Sequence, residues 1–150
     1  MTIESTPIIN VLLVEDNPDH AELIRRSLRN VKTANRIFHV TDGEDAQDFL
    51  LHKNGYEDTD DFPTPHLIIL DLRLPRMSGL EFLGFVKNRE LLREIPVVVL
   101  STSKSEDDIR EAYQNYANSY LVKPTGFESF SGLITDMGYY WFKRNKLHLE

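Results

Sequence analysis

Leu67-Ile68-Ile69-Leu70-Asp71, residues 67–71, sets four consecutive apolar side chains directly before a carboxylate. An apolar run of strand length without polar alternation is buried on both faces, as in a parallel sheet covered by helices. Val11-Leu12-Leu13-Val14 and Val97-Val98-Val99-Leu100 repeat the pattern. With two shorter β-branched runs they define five expected strands: Ile8–Val14, Arg36–Val40, His66–Leu70, Ile95–Leu100 and Ser119–Val122. Successive strands start 24 to 30 residues apart, the length of one strand and one crossover helix.

Helix-period stripes fill the intervals. Ala21, Ile24, Leu28 and Val31 form the first, Ala46, Phe49 and Leu50 the second, and Leu80, Leu83 and Val86 the third. Ser105 is placed to cap a fourth helix with the stripe Ile109, Ala112, Tyr113 and Tyr116, and with acids in its first turn. Phe127, Phe130, Leu133, Ile134, Met137 and Trp141 form the last stripe, on a helix expected to reach about Lys146. Strict alternation of five strands and five helices makes the fold α/β, (βα)5. Lys53–Pro65 breaks the rhythm and reads as a solvated polar loop.

Composition narrows the function. The 150 residues carry 24 acidic and 17 basic side chains, a net charge of −7, which disfavours autonomous nucleic-acid binding. The basic cluster Lys143-Arg144-Asn145-Lys146 reads as favourable charge at a helix end. No apolar run approaches the roughly 20 residues that span a bilayer, and Met1–Thr6 lacks the pattern of a secretory signal. The absence of cysteine excludes disulfides, thiolate zinc sites and thiol catalysis. The expectation is a cytoplasmic, acidic, single-domain protein that contacts neither nucleic acid nor membrane.

Open parallel sheets bind ligands beyond the carboxyl ends of their strands, where strand order reverses. There this sequence places Glu15-Asp16 after the first strand, Asp71 after the third, Ser101-Thr102 after the fourth and Lys123-Pro124 after the fifth. Three close carboxylates repel, each pair costing several kcal/mol at an effective dielectric of ~20. Either one carboxyl keeps its proton or a cation sits among them. A hard divalent ion with oxygen ligands suits the set, and Mg2+ is the abundant choice. The five histidines are scattered and read as packing or surface residues, so zinc is disfavoured. Beside a metal and a lysine, Asp71 can attack a phosphoryl group and form an acyl phosphate. Each residue alone has an ordinary explanation as a cap or turn former; their joint placement on one sheet edge favours a site.

Val14-Glu15-Asp16-Asn17, Leu70-Asp71-Leu72-Arg73-Leu74-Pro75 with Ser78-Gly79, Pro96–Ser101 and Tyr120-Leu121-Val122-Lys123-Pro124 together resemble the receiver domain of two-component response regulators. The resemblance runs over about residues 8 to 142, with every motif in order. It implies a flavodoxin-like sheet of order 2-1-3-4-5, a receiver domain over 8–146, an N-terminal tail over 1–7 and a C-terminal tail over 147–150. It implies phosphorylation of Asp71 by a histidine kinase or phosphotransfer protein in the presence of Mg2+. Asp16 and Asp71 would bind the metal, with Glu15 acting through water and Arg73 through its backbone carbonyl. Lys123 would pair with the phosphoryl group, Ser101 would be the switch hydroxyl, Tyr120 the aromatic switch, and the Lys123–Pro124 bond would be cis.

Within the family the chain looks similar to the stand-alone regulators that partner phytochromes. The acidic pair, the loop ending Phe62-Pro63-Thr64-Pro65 and the aromatic last helix carry that likeness. It implies a homodimer through helix four, strand five and helix five, with the signal leaving by protein contacts. Arg73 and Thr102 depart from common family choices and bear on the lifetime of the phosphoryl group. Three other readings compete with this one. A haloacid dehalogenase-type phosphatase needs a second acid two residues after its nucleophile, where Arg73 stands. A flavin-phosphate binder would be repelled by Glu15-Asp16-Asn17-Pro18-Asp19. A pseudo-receiver would not require the intact Asp71, Lys123 and acidic pair. The expectation is a phosphoacceptor signalling protein, not an enzyme.

Overall fold

The computed structural model describes residues 7–149; the expectations for residues 1–6 and for Glu150 lie outside them. In chain order the elements are β1 (Ile9–Val14), α1 (Pro18–Arg29), β2 (Asn35–Val40), α2 (Gly43–Leu51), β3 (Leu67–Leu70), α3 (Gly79–Lys87), β4 (Val97–Ser101), α4 (Glu106–Gln114), β5 (Ser119–Val122) and α5 (Phe127–Tyr139). The sheet is parallel throughout, in the order β2-β1-β3-β4-β5, as expected.

Alternation along the strands sorts the core into two layers. Leu12, Val14, Ile68, Leu70, Val97 and Val99 meet the apolar stripes of α2 and α3 and Ala112 of α4. Their neighbours Val11, Leu13, Leu67, Ile69, Val98 and Leu100 meet α1 and α5. Both faces are therefore covered, which is why these strands are continuously apolar. Gly138 lets α5 lie close on α1, since a Cβ there would stand 2.8 Å from a Leu28 methyl.

The helices begin where their caps predict. Asn17 accepts from the N–H groups of Asp19 and His20 ahead of Pro18, and Asp42, Ser78 and Ser105 cap α2, α3 and α4. Because Asn17 does the capping, the neighbouring Asp16 carboxylate stays exposed and available at the sheet edge.

Four expectations need correction. The last helix is α-helical only to Tyr139, then winds as a π-helical turn over Tyr140–Arg144, with Asn145 N–H donating to the Tyr140 carbonyl. The wider turn brings Phe142 into the core, while Trp141 is half-buried. Phe127 is 67% exposed, because the first residue of α5 lies ahead of the point where the helix settles on the sheet. On α4 only Ala112 is fully buried, Tyr113 is exposed, and the helix ends at Gln114, short of the exposed Tyr116. Finally, Lys53–Pro65 is anchored rather than merely solvated. Tyr56 and Phe62 stack edge-on at 5.0 Å and join Phe38 and Phe49, while the Tyr56 hydroxyl donates to Asp45. Leu147 and Leu149 of the C-terminal tail likewise pack on the core layer that meets α1 and α5.

The β3–α3 loop is tied to the start of α2 through Arg76, which pairs with Asp42 and approaches Glu44 at 3.7 Å. Burial pushes the Asp42 carboxyl up, but the Asp45 N–H and the Arg76 guanidinium outweigh it and hold the group below its ordinary value. A depressed carboxyl pKa adds stability that is complete above the unfolded value and is lost as pH falls through the folded one. Arg76→Leu is therefore expected to move the acid-unfolding midpoint to higher pH, followed by circular dichroism. An unchanged midpoint would show that the loop tie carries no folding energy.

Candidate metal and phosphoacceptor site

Backbone hydrogen bonds at the strand ends carry the sheet one residue further and fix the site. Glu15 N–H donates to the Val40 carbonyl at 3.0 Å, Asp71 N–H to Val14 at 3.0 Å, and Lys123 N–H to Ser101 at 2.8 Å. The side chains of Glu15, Asp71 and Lys123 are thereby aimed into one buried spot. His39 braces it from β2, its Nε2 lying 2.7 Å from the Glu15 carbonyl oxygen.

Lys123 is the centre of the cluster. Its Nζ donates to Glu15 Oε1 at 2.5 Å and Asp71 Oδ2 at 2.9 Å, and stands 3.1 Å from His20 Nδ1. The other oxygens meet backbone: Asp71 Oδ1 accepts from Arg73 N–H at 3.1 Å, and Glu15 Oε2 from Asn17 N–H at 3.2 Å. Burial drives the Glu15 carboxyl up to about 7, Lys123 holding it down and the Asp71 charge pushing further up.

Glu15, Asp16 and Asp71 each offer a carboxylate oxygen, and these oxygens lie within 4.8 Å of one another. Among the described residues theirs is the one acidic or histidine cluster with metal-binding spacing. An all-oxygen donor set facing a single ammonium fits a hard divalent cation. Two of the three carboxylates are already tied to Lys123, and Asp16 is the one most open to solvent.

The remaining expected residues lie close by but are not all joined to this cluster. Ser101 is fully buried, and its Oγ accepts from Ser103 N–H at 3.2 Å. Ser103 in turn donates its hydroxyl to Asp108 at 2.5 Å and its carbonyl accepts from the Tyr120 hydroxyl at 2.9 Å. Tyr120 is half-buried against the α2–α4 layer, so its ring is already packed inward. The Arg73 side chain is exposed. The Lys123–Pro124 bond is trans, as is every peptide bond among the described residues, contrary to the expected cis form. Trans is favoured for X–Pro bonds by about 0.5–1 kcal/mol, and Lys123 is already positioned by its ladder bond and side-chain partners. His20 was read as a packing or surface histidine; it belongs to the site. Its only sequence signal is a place in the first turn of α1, shortly after the acidic pair.

A (βα)5 sheet of order 2-1-3-4-5 with an acidic cluster and a buried lysine at its carboxyl edge defines the receiver class of signalling domain. The chain belongs to the response regulator receiver domain family, matching it over residues 11–135. It is 44% identical over 137 residues, 91% of this chain and 85% of the other, to a probable methanogenesis regulatory protein, FilR2, of Methanothrix harundinacea. It is 34% identical over 95% of both chains to the response regulator Rcp1 of Synechocystis. The Mn2+-bound form of Rcp1 superposes with a TM-score of 0.88 at 33% identity, covering 93% of this chain and 99% of that one. The phosphorylated cyanobacterial phytochrome response regulator RcpA gives the same score at 33% identity, over 95% and 99%. The chain is thus a receiver-domain response regulator with phytochrome-associated relatives.

Proposed function

We propose that the protein accepts a phosphoryl group on Asp71 from a histidine kinase or phosphotransfer protein and signals through protein contacts. The arrangement of Lys123 between Asp71 and Glu15, with Asp16 within reach, carries this reading. A carboxylate oxygen of Asp71 attacks phosphorus, the new O–P bond forms, and the P–N bond of the donor phosphohistidine breaks. The leaving imidazole nitrogen keeps the electron pair and takes a proton. Lys123 is placed to neutralise charge gathering on the transferring oxygens. Glu15, Asp16 and Asp71, with the Arg73 carbonyl, would hold Mg2+, which when bound supplies further positive charge at those oxygens. The likeness to RcpA, a cyanobacterial phytochrome response regulator, supports a phytochrome-type kinase as donor. A cytoplasmic setting is part of the same proposal.

The Ser101–Ser103–Tyr120 chain supports a switch. Phosphorylation adds about −1.5 to −2 charge and strong acceptor oxygens. A Ser101 hydroxyl drawn to them leaves the Ser103 N–H, and Ser103 holds both Tyr120 and Asp108 of α4. The altered surface then includes Tyr113, Tyr116 and the outer face of α5. This α4–β5–α5 surface is the one we assign to homodimer formation.

The decisive experiment is intact mass after incubation with acetyl phosphate, with and without Mg2+, beside Asp71→Asn. One Mg2+-dependent phosphoryl adduct, absent from Asp71→Asn, is expected. No adduct under any condition would replace this reading with a phosphorylation-independent binding module.

A further inference from the structure

His20 sits in the first turn of α1, on a cap that fixes its backbone: its N–H donates to Asn17 Oδ1 at 3.2 Å. Its ring leans against Phe130 of α5, centroids 5.4 Å apart, which holds the imidazole in place. From there Nδ1 lies 3.1 Å from Lys123 Nζ.

An ammonium has three hydrogens and no lone pair. Lys123 Nζ is buried and has three partners: Glu15 Oε1, Asp71 Oδ2 and His20 Nδ1. Flanked by two carboxylates it is charged, so His20 Nδ1 accepts and the ring hydrogen lies on Nε2. Burial and the neighbouring Lys123 charge both lower the pKa of the ring, which agrees with that assignment. The three partners differ in kind. Glu15 and Asp71 both belong to the acidic cluster, and each has other demands during the reaction. His20 is the one partner outside that cluster.

We propose that His20 is a positioning residue for phosphoryl transfer: its Nδ1 takes the third hydrogen of the Lys123 ammonium and keeps Nζ aimed at Asp71 as the carboxylates change partners. The inference rests on Asp71 being the phosphoacceptor. With Nδ1 engaged and Nε2 protonated, His20 has no free lone pair and does not act as a base toward water.

Two substitutions separate positioning from packing. His20→Leu puts a methyl where Nδ1 stands and keeps an apolar contact with Phe130. His20→Asn puts an acceptor oxygen at the Nδ1 position and gives up the ring. Positioning ranks Asn above Leu, whereas packing alone ranks Leu above Asn. With acetyl phosphate and saturating Mg2+, His20→Leu is expected to slow adduct formation roughly tenfold, as loss of a supporting partner typically does. His20→Asn is expected to recover most of the rate. Wild-type speed in His20→Leu, or His20→Asn at or below His20→Leu, would overturn the inference.

A second readout does not depend on phosphorylation. A buried ammonium with three acceptors exchanges its hydrogens slowly, so a 15N–1H correlation for Lys123 Nζ is expected in the wild type and in His20→Asn, and not in His20→Leu. Rapid exchange in the wild type would sink the positioning role even if the protein is phosphorylated. A slow wild-type signal lost in His20→Leu, with no adduct on any variant, would sink the phosphoacceptor reading and leave the Lys123–His20 contact standing.

Discussion

Replacing Lys123 by methionine is expected to abolish useful phosphorylation and to cost the fold about 3 kcal/mol at pH 8 in metal-free buffer. The side chains have similar reach, and methionine adapts to its surroundings, so the change removes charge with little change of shape. Glu15 and Asp71 are both buried, and Lys123 is their shared counter-charge at 2.5 and 2.9 Å. Taking it away leaves Glu15 and Asp71 facing each other with no counter-charge in a poorly solvated site. Breaking a buried pair from one side costs far more than the pair contributes, because the partner is stranded. On the chemical side, losing one preorganised donor to a developing anion slows a reaction by about 100- to 1,000-fold. Urea denaturation and the rate of adduct formation with acetyl phosphate would measure the two effects separately. A variant as stable as the wild type would mean that Lys123 is not what stabilises the buried Glu15 and Asp71 side chains. A variant phosphorylated at the wild-type rate would remove Lys123 from the chemistry.

That cluster was legible in the sequence for a specific reason. Glu15 and Asp71 each follow a continuously apolar run of the kind a parallel strand buries on both faces, and Lys123 follows the shorter, half-buried run of β5. The ends of such strands share one edge, so residues far apart in the chain are placed together by topology alone. Local chemistry also located the Ser105 cap, because a hydroxyl there precedes an acidic first turn and helix-period residues. His20 escaped because nothing local marks it. It lies 103 residues from Lys123, and the contact exists only because α1 and α5 pack side by side. Periodicity also failed at the end of α5, where a π-helical turn shifts the register and exchanges Phe142 for a residue the α-helical stripe would bury. The aromatic anchor of Lys53–Pro65 was hidden because Tyr56 and Phe62 stand singly among polar residues. Polarity of a loop's average does not report the one or two side chains that pin it. The trans Lys123–Pro124 bond was mistaken for cis through family likeness, not through any local signal.

Gly79→Ala is expected to damage the phosphoacceptor from a position that touches no charged group. A Cβ at residue 79 would stand 2.4 Å from the Asp71 carbonyl oxygen and 2.5 Å from Leu72 Cα, both backbone atoms. Neither can swing aside as a side-chain end would. The approach is close because Gly79 N–H donates to the Leu72 carbonyl at 2.9 Å, pinning the start of α3 beneath the residue that follows the acceptor. Relief therefore requires α3 to back away or the Asp71–Leu72 peptide to move, and overpacking of this kind costs about 1–3 kcal/mol. Gly132→Ala in α5 provides the opposite case. It has nothing within 4 Å of its added Cβ, and an exposed mid-helix glycine replaced by alanine gains about 0.5–1 kcal/mol. The pair should move in opposite directions in urea. Only Gly79→Ala should also slow phosphorylation, since a shift of the Asp71 carbonyl carries Asp71 Oδ2 away from Lys123 Nζ. If Gly79→Ala lost stability and kept the wild-type phosphorylation rate, the strain would be taken up by α3 alone. The acceptor would then be held by the sheet through its N–H to Val14 rather than by the helix beneath it.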